Sequence, residues 1–325
     1  MKRVIIFLFL FSGLMISATQ SEKIPQAQIS NKLIKANLYL PDSQIGYYRA
    51  TRFDWSGIIP SLEFKGHSYF GQWFPKYDPE IHDAIMGPVE DFTPSGFDKA
   101  KTGDTFFKPG VGMLVKPDEK PYSSFKLYLI KNHGEWKIKK KADQVQFVHI
   151  LNDIDYSYEY TKTVQLVKGK PELVLAHTLK NTGKSPIETD VYNHNFPMID
   201  KGPSGPDITV TFAFNPGGTF RGPADIAYFQ NQKLMLKREL KNGETIYCGG
   251  LTGVGDTSKD YDFKIENIKT GAGVRITSDQ PLSKLVLWAC PTTLCPEPYL
   301  HIKVDPGQEY SWKIFYEFYT FEIAK

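Results

Sequence analysis

Three short segments combine a side chain that can move or hold a proton with aromatic neighbours and Gly or Pro punctuation. In Tyr192-Asn193-His194-Asn195-Phe196 one His stands between two amides and two rings. The amides can fix its tautomer and the rings can stack on a substrate, although a hydrogen-bonded structural His satisfies the same pattern. In Cys295-Pro296-Glu297-Pro298-Tyr299 a single Glu lies between two prolines. Their stiff backbone suits a carboxylate held for acid–base work, while a solvated loop Glu is the plainer reading. The segment 48–57 carries Arg49 and Arg52 beside Phe53, Asp54 and Trp55. Arg donors over an aromatic platform suit a polyhydroxylated ligand, and an Arg52–Asp54 structural pair explains the same residues equally well. Trp55, Trp73, Trp288 and Tyr299 offer further stacking surfaces, and most of the remaining aromatics are expected in the core. Cys290 and Cys295 are five apart, which leaves a short disulfide loop open as an expectation and Cys248 as a small buried hydrophobe. No second close Cys or His pair accompanies them, so a zinc site is not expected.

The elements that must position these groups read as strands. Runs at 159–166, 172–179 and 187–193 are separated by Lys168-Gly169-Lys170-Pro171 and Asn181-Thr182-Gly183-Lys184, the pattern of an antiparallel meander that delivers His194 off its third strand. Near the end of the chain Tyr310, Trp312, Ile314, Tyr316 and Phe318 recur every second residue between Ser311, Lys313 and Glu317, so one bulky stripe faces one side of a sheet. Further strands are expected at 47–54, 59–64, 125–130, 136–140, 144–151, 208–214, 263–267, 273–278 and 284–289, with a short helical turn at 79–86. Strands without interleaved helices point to an all-β, large antiparallel sandwich or barrel.

Composition agrees. The chain has 325 residues, 41% apolar and 14% aromatic, with 26 Gly and 22 Pro. It is too hydrophobic for disorder and is turn-rich. Its 39 Lys and Arg against 36 Asp and Glu leave no basic field for nucleic acid. Lys2 and Arg3 precede an apolar run from Val4 to Ile16 that gives way to Ser17-Ala18-Thr19-Gln20. This reads as a secretory signal peptide over 1–20, too short to span a membrane, followed by one domain over 21–325. Export to a periplasmic or extracellular space follows, with no membrane contact after cleavage.

Taken together, Gly57-Ile58-Ile59-Pro60-Ser61-Leu62, Tyr192-Asn193-His194-Asn195-Phe196, and Cys295-Pro296-Glu297-Pro298-Tyr299 ahead of Val304-Asp305-Pro306-Gly307, with Tyr310-Ser311-Trp312 and Tyr316-Glu317-Phe318, resemble the aldose 1-epimerase (galactose mutarotase-like) superfamily in order and spacing. The resemblance implies one large antiparallel β-supersandwich, a small-molecule carbohydrate as partner, and cofactor-free interconversion of sugar anomers with His194 as acid and Glu297 as base. It also nominates hydroxyl contacts from His82 and Glu90 in the segment 81–92 and from Asp260 or Asp262, to which the residues themselves add Arg52, Asn193 and the stacking face of Trp288 as substrate contacts. The chain departs from the superfamily in having no His-Gly-Gly in its first third. A non-catalytic carbohydrate module on the same fold is the rival reading. A glycoside hydrolase, pairing Glu297 with Glu90 or Asp262, is a third.

Overall fold

The computed structural model describes residues 23–323, so the signal-peptide expectation lies outside the described residues. Strand alternation is the rule that builds it. In Glu309–Thr320, Trp312, Ile314, Tyr316 and Phe318 are buried while Ser311, Lys313 and Glu317 face solvent. In Gln144–Leu151 every second residue is likewise buried.

Ten strands form one antiparallel sheet, ordered Ala227–Gln230, Lys233–Leu236, Ile208–Phe212, Asp262–Asn267, Ala272–Ser278, Glu309–Thr320, Glu172–Asn181, Tyr158–Leu166, Gln144–Leu151 and Glu135–Lys140. A five-stranded antiparallel sheet, ordered Ile246–Cys248, Lys284–Cys290, Thr293–Val304, Ile187–His194 and Val89–Phe92, packs against it. Their shared core joins Leu173, Leu175 and Ile314 of the first sheet to Leu285, Leu300 and Ile302 of the second. Together they form a large β-sandwich. Two smaller sheets, of four and three strands, flank it.

Several expectations are corrected. The run 187–193 is a strand, Ile187–His194, yet it does not complete a meander. Glu172–Asn181 pairs instead with Glu309–Thr320, and Ile187–His194 crosses to the five-stranded sheet between Thr293–Val304 and Val89–Phe92. The segment 47–54 is no strand, because its backbone donors go to carbonyls of separate segments rather than to one ladder: Arg49 to Pro79 at 2.8 Å and Asp54 to Glu90 at 2.8 Å. Of 125–130 only Ile130 enters a strand, Ile130–Asn132, and 79–86 makes turns without a helix. The helices among the described residues are two 3₁₀ turns, Ile199–Lys201 and Ser258–Asp260. All three cysteines are free and buried. Cys290 pairs with Thr293 and Cys295 with Trp288 across the hairpin, so the two thiols are not opposite one another.

Candidate functional site

The five-stranded sheet has two faces, and only one belongs to the sandwich core. Residues one apart in a strand point to opposite faces, so the register decides what each polar group does. Glu90 pairs with Asn193 and Asp91 with Tyr192. Glu90 and Asn193 face the ten-stranded sheet. Asp91, Tyr192, His194, Glu297, Tyr299 and Trp288 line a cavity of about 370 Å³ on the other face, closed by loops that carry Arg52, Trp73, Asp83 and Phe125.

His194 and Glu297 meet on that face, with Nε2 of His194 3.2 Å from Oε1 of Glu297 and side chains only 4% and 7% exposed. Glu297 sits within the strand Thr293–Val304. The ladder from that strand to Ile187–His194 stops at the Tyr192–Tyr299 pair, just short of Pro296 and Pro298, which have no N–H to continue it. Asn195 spans the gap instead, donating from Nδ2 to the Pro296 carbonyl at 2.9 Å. Phe196 then turns back with φ at 42°, a left-handed conformation that costs a non-glycine residue roughly 1–2 kcal/mol. The turn lays its ring parallel to His194, with centroids 3.6 Å apart, and Trp73 stacks on its other side at 4.8 Å. Trp288 meets His194 edge-on at 5.5 Å.

This apolar box sets the protonation. Burial pushes Glu297 up to about 8, with Arg52 pulling against the shift and Asp91 adding to it. Burial and the nearby Arg52 charge hold His194 well below its ordinary value. At neutral pH the contact therefore joins a protonated carboxyl to an uncharged imidazole rather than forming an ion pair. His194 Nδ1 has no hydrogen-bond partner among the described residues.

Arg52 is fixed from several sides. It pairs with Asp83, donates from Nε to Asp91 at 3.3 Å and from Nη2 to the Tyr192 hydroxyl at 2.8 Å, and lies between the rings of Phe53 and Phe125 at 4.6 and 4.9 Å. Asp91 also accepts from the buried Lys108 ammonium at 2.7 Å. The anticipated Arg52–Asp54 pair is absent, because Asp54 bonds Ser56 and Tyr160 behind the site.

The remaining nominated residues fall elsewhere. Glu90 is in the sandwich core, bound to Lys162, to His177 Nε2 at 2.9 Å and to Asn193 Nδ2 at 2.9 Å. Burial alone would raise it, but Lys162 and His177 outweigh burial and bring it down to about 2. Asn193 thus supports the site from behind. Its Oδ1 lies 2.8 Å from the Tyr316 hydroxyl, which also lies 2.7 Å from Asn195 Oδ1. His82 contacts Asp83 and the Phe125 ring beside the cavity and does not line it. Asp260 caps its own turn through Thr257, and Asp262 forks onto Arg275 at 2.9 and 2.6 Å in the ten-stranded sheet. Neither Glu90 nor Asp262 shares the cavity with Glu297. Asp83, Asp91 and Phe125 were not singled out by sequence reasoning. The first two are one residue from His82 and Glu90, so the segment was legible and its facing was not.

Among the described residues no group of three or more His, Cys, Asp and Glu side chains is placed to hold a metal ion. No helix there is long and apolar enough to cross a membrane.

The architecture that carries this site is the galactose mutarotase-like fold. The chain is similar to the GalM/aldose epimerase homologue of C. elegans, with TM-score 0.58 and 14% identity over 92% of this chain and 100% of that one. It is similar to a galactose mutarotase-like protein from Clostridium acetobutylicum, with TM-score 0.57 and 13% identity over 93% and 97%. A putative aldose 1-epimerase from Escherichia coli K12 gives 0.55 and 11% over 92% and 100%. No family model matches the chain, and no curated protein does.

Proposed function

We propose that the protein interconverts the anomers of a free aldose or of an oligosaccharide reducing end, without a cofactor. The observation that carries this reading is the His194–Glu297 contact at the base of an aromatic cavity. Opening a hemiacetal requires a base to take the C1 hydroxyl proton and an acid to protonate the ring oxygen. The ring C–O bond then breaks, a C1 carbonyl forms, and rotation about C1–C2 precedes reclosure by the reverse steps. The two oxygens share one carbon, so two adjoining side chains can face them together.

The pair carries one transferable proton between them. With that proton on His194, Glu297 acts as base and His194 as acid. With it on Glu297, as at rest, the roles exchange. Either way one turnover of ring opening moves the proton from one partner to the other and needs none from outside, and reclosure restores it. General acid–base help of this kind contributes about 10²- to 10⁴-fold per group. Arg52, held by Asp83 and Asp91, and the rings of Trp73 and Trp288 supply donors and apolar faces for the sugar. The N-terminal Lys2-Arg3 and apolar run support an exported location for this activity.

Polarimetry of freshly dissolved single anomers tests the proposal. Relaxation of at least one aldose is expected to accelerate in proportion to protein concentration. A buffer rate on every sugar, combined with measurable binding of one, supports the non-catalytic module instead.

A further inference from the structure

A second cavity, of about 360 Å³, adjoins the first across the segment 125–130. The same three segments line both, with side chains of the same kinds two or three residues apart. Arg52, Asp83 and Phe125 serve the inner cavity. Arg49, Glu80 and Leu127 serve the outer one. Arg49 donates to the Gln44 carbonyl at 2.7 Å and has no carboxylate partner among the described residues, in contrast to the doubly paired Arg52. His133, which also lines the outer cavity, has a buried Nδ1 without a partner among the described residues. Phe125 at the inner cavity and Leu127 and Leu129 at the outer one are exposed apolar side chains of one segment, at 62%, 49% and 72% exposure. Several exposed apolar side chains beside a polar cleft are a feature of ligand-binding grooves. Four residues reach at most about 14 Å, so Phe125 and Leu129 bring the two cavities within that distance of one another.

A sugar ring offers C–H faces to apolar side chains and hydroxyls to an Arg and a carboxylate, and this surface presents the same alternation twice. We infer that the outer cavity is a saccharide subsite, which takes a further residue of a neutral oligosaccharide whose reducing end occupies the inner cavity. The inference rests on the sugar-binding part of the function proposed above. The inner cavity sets one guanidinium against two aspartates and the outer one a guanidinium against one glutamate, so neither carries a surplus of cations, which favours a neutral chain over a phosphorylated or acidic one.

The test is calorimetric binding of matched series to the wild type, Arg49→Ala and Leu127→Ser: glucose, maltose and maltotriose; galactose and lactose; xylose, xylobiose and xylotriose. In at least one series the oligosaccharide is expected to bind at least tenfold tighter than its monosaccharide, and each variant is expected to remove most of that ratio. Equal affinity along every series, or a variant that weakens monosaccharide and oligosaccharide by the same factor, overturns the subsite and leaves the inner site standing. Failure of every sugar to bind the wild type overturns the proposed function itself.

Discussion

Replacing Glu297 by Gln isolates the energetic consequence of burying that carboxyl. In the folded protein the proton is retained up to about pH 8, against an ordinary value of 4.5. Between those limits the unfolded chain has lost a proton that the folded chain keeps, so the unfolded state binds fewer protons and wild-type stability falls as pH rises. Each unit is worth about 1.4 kcal/mol. At pH 5 the wild type has lost under about 1 kcal/mol, at pH 7 about 3 kcal/mol, and beyond pH 8 about 5 kcal/mol. Gln is a neutral near-isostere that does not titrate. The stability of Glu297→Gln relative to wild type should therefore grow with pH by these amounts. His194 titrates at lower pH in both proteins and cancels from the difference. Denaturant unfolding of both proteins at pH 5, 7 and 9, followed by tryptophan fluorescence, measures it. A difference that stays constant over that range, or that grows toward acid, refutes the buried neutral pair.

Three further outcomes follow from the same geometry. Anomer exchange should be level between about pH 6.5 and 8 and fall about tenfold per unit above pH 8, because the pair then loses its one proton; a rate that rises through pH 9 contradicts this. Tyr316→Phe should cost about 1–3 kcal/mol of stability by removing the one hydroxyl proton shared between two buried Asn oxygens, and should lower kcat more than it raises KM, since Asn193 and Asn195 flank His194; steady-state kinetics and thermal unfolding check both parts. Lys162→Met should destabilise the fold by about 3–5 kcal/mol, because Lys162 is the buried cation beside both Glu90 and Asp54; a loss under about 1 kcal/mol would show that the core network tolerates the uncompensated acids.

Much of the sandwich was legible because a half-buried strand writes its period into the sequence. Gln144–Leu151 and the Tyr310–Phe318 stripe show the alternation directly, and the antiparallel order follows from the Gly and Pro turns between runs. What the alternation does not say is which sheet a strand joins. Ile187–His194 follows a short turn like that of a hairpin, yet it crosses to the other layer, since Glu309–Thr320 from the far end of the chain takes its place beside Glu172–Asn181. The site was legible to the same depth. His194 and Glu297 stood out by their neighbours, and the structure puts them in contact. Glu90 and Asp91 are adjacent acids in one short strand, and only the pairing with Asn193 and Tyr192 decides that Glu90 enters the core and Asp91 the cavity. Arg52 illustrates a third limit. Asp54 was the nearest acid in sequence, but the irregular path of 48–55 sends the two side chains to different partners, and the acids that hold Arg52 come from 31 and 39 residues away.

Anomer exchange of a binding aldose by exchange NMR at pH 7, in wild type, Glu297→Gln and His194→Asn, tests the central claim most directly. The account predicts acceleration over the spontaneous rate by the wild type, and loss of at least about 10²-fold in each variant while the sugar still binds. Exchange that persists in either variant at the wild-type rate would contradict the assignment of the proton-carrying pair.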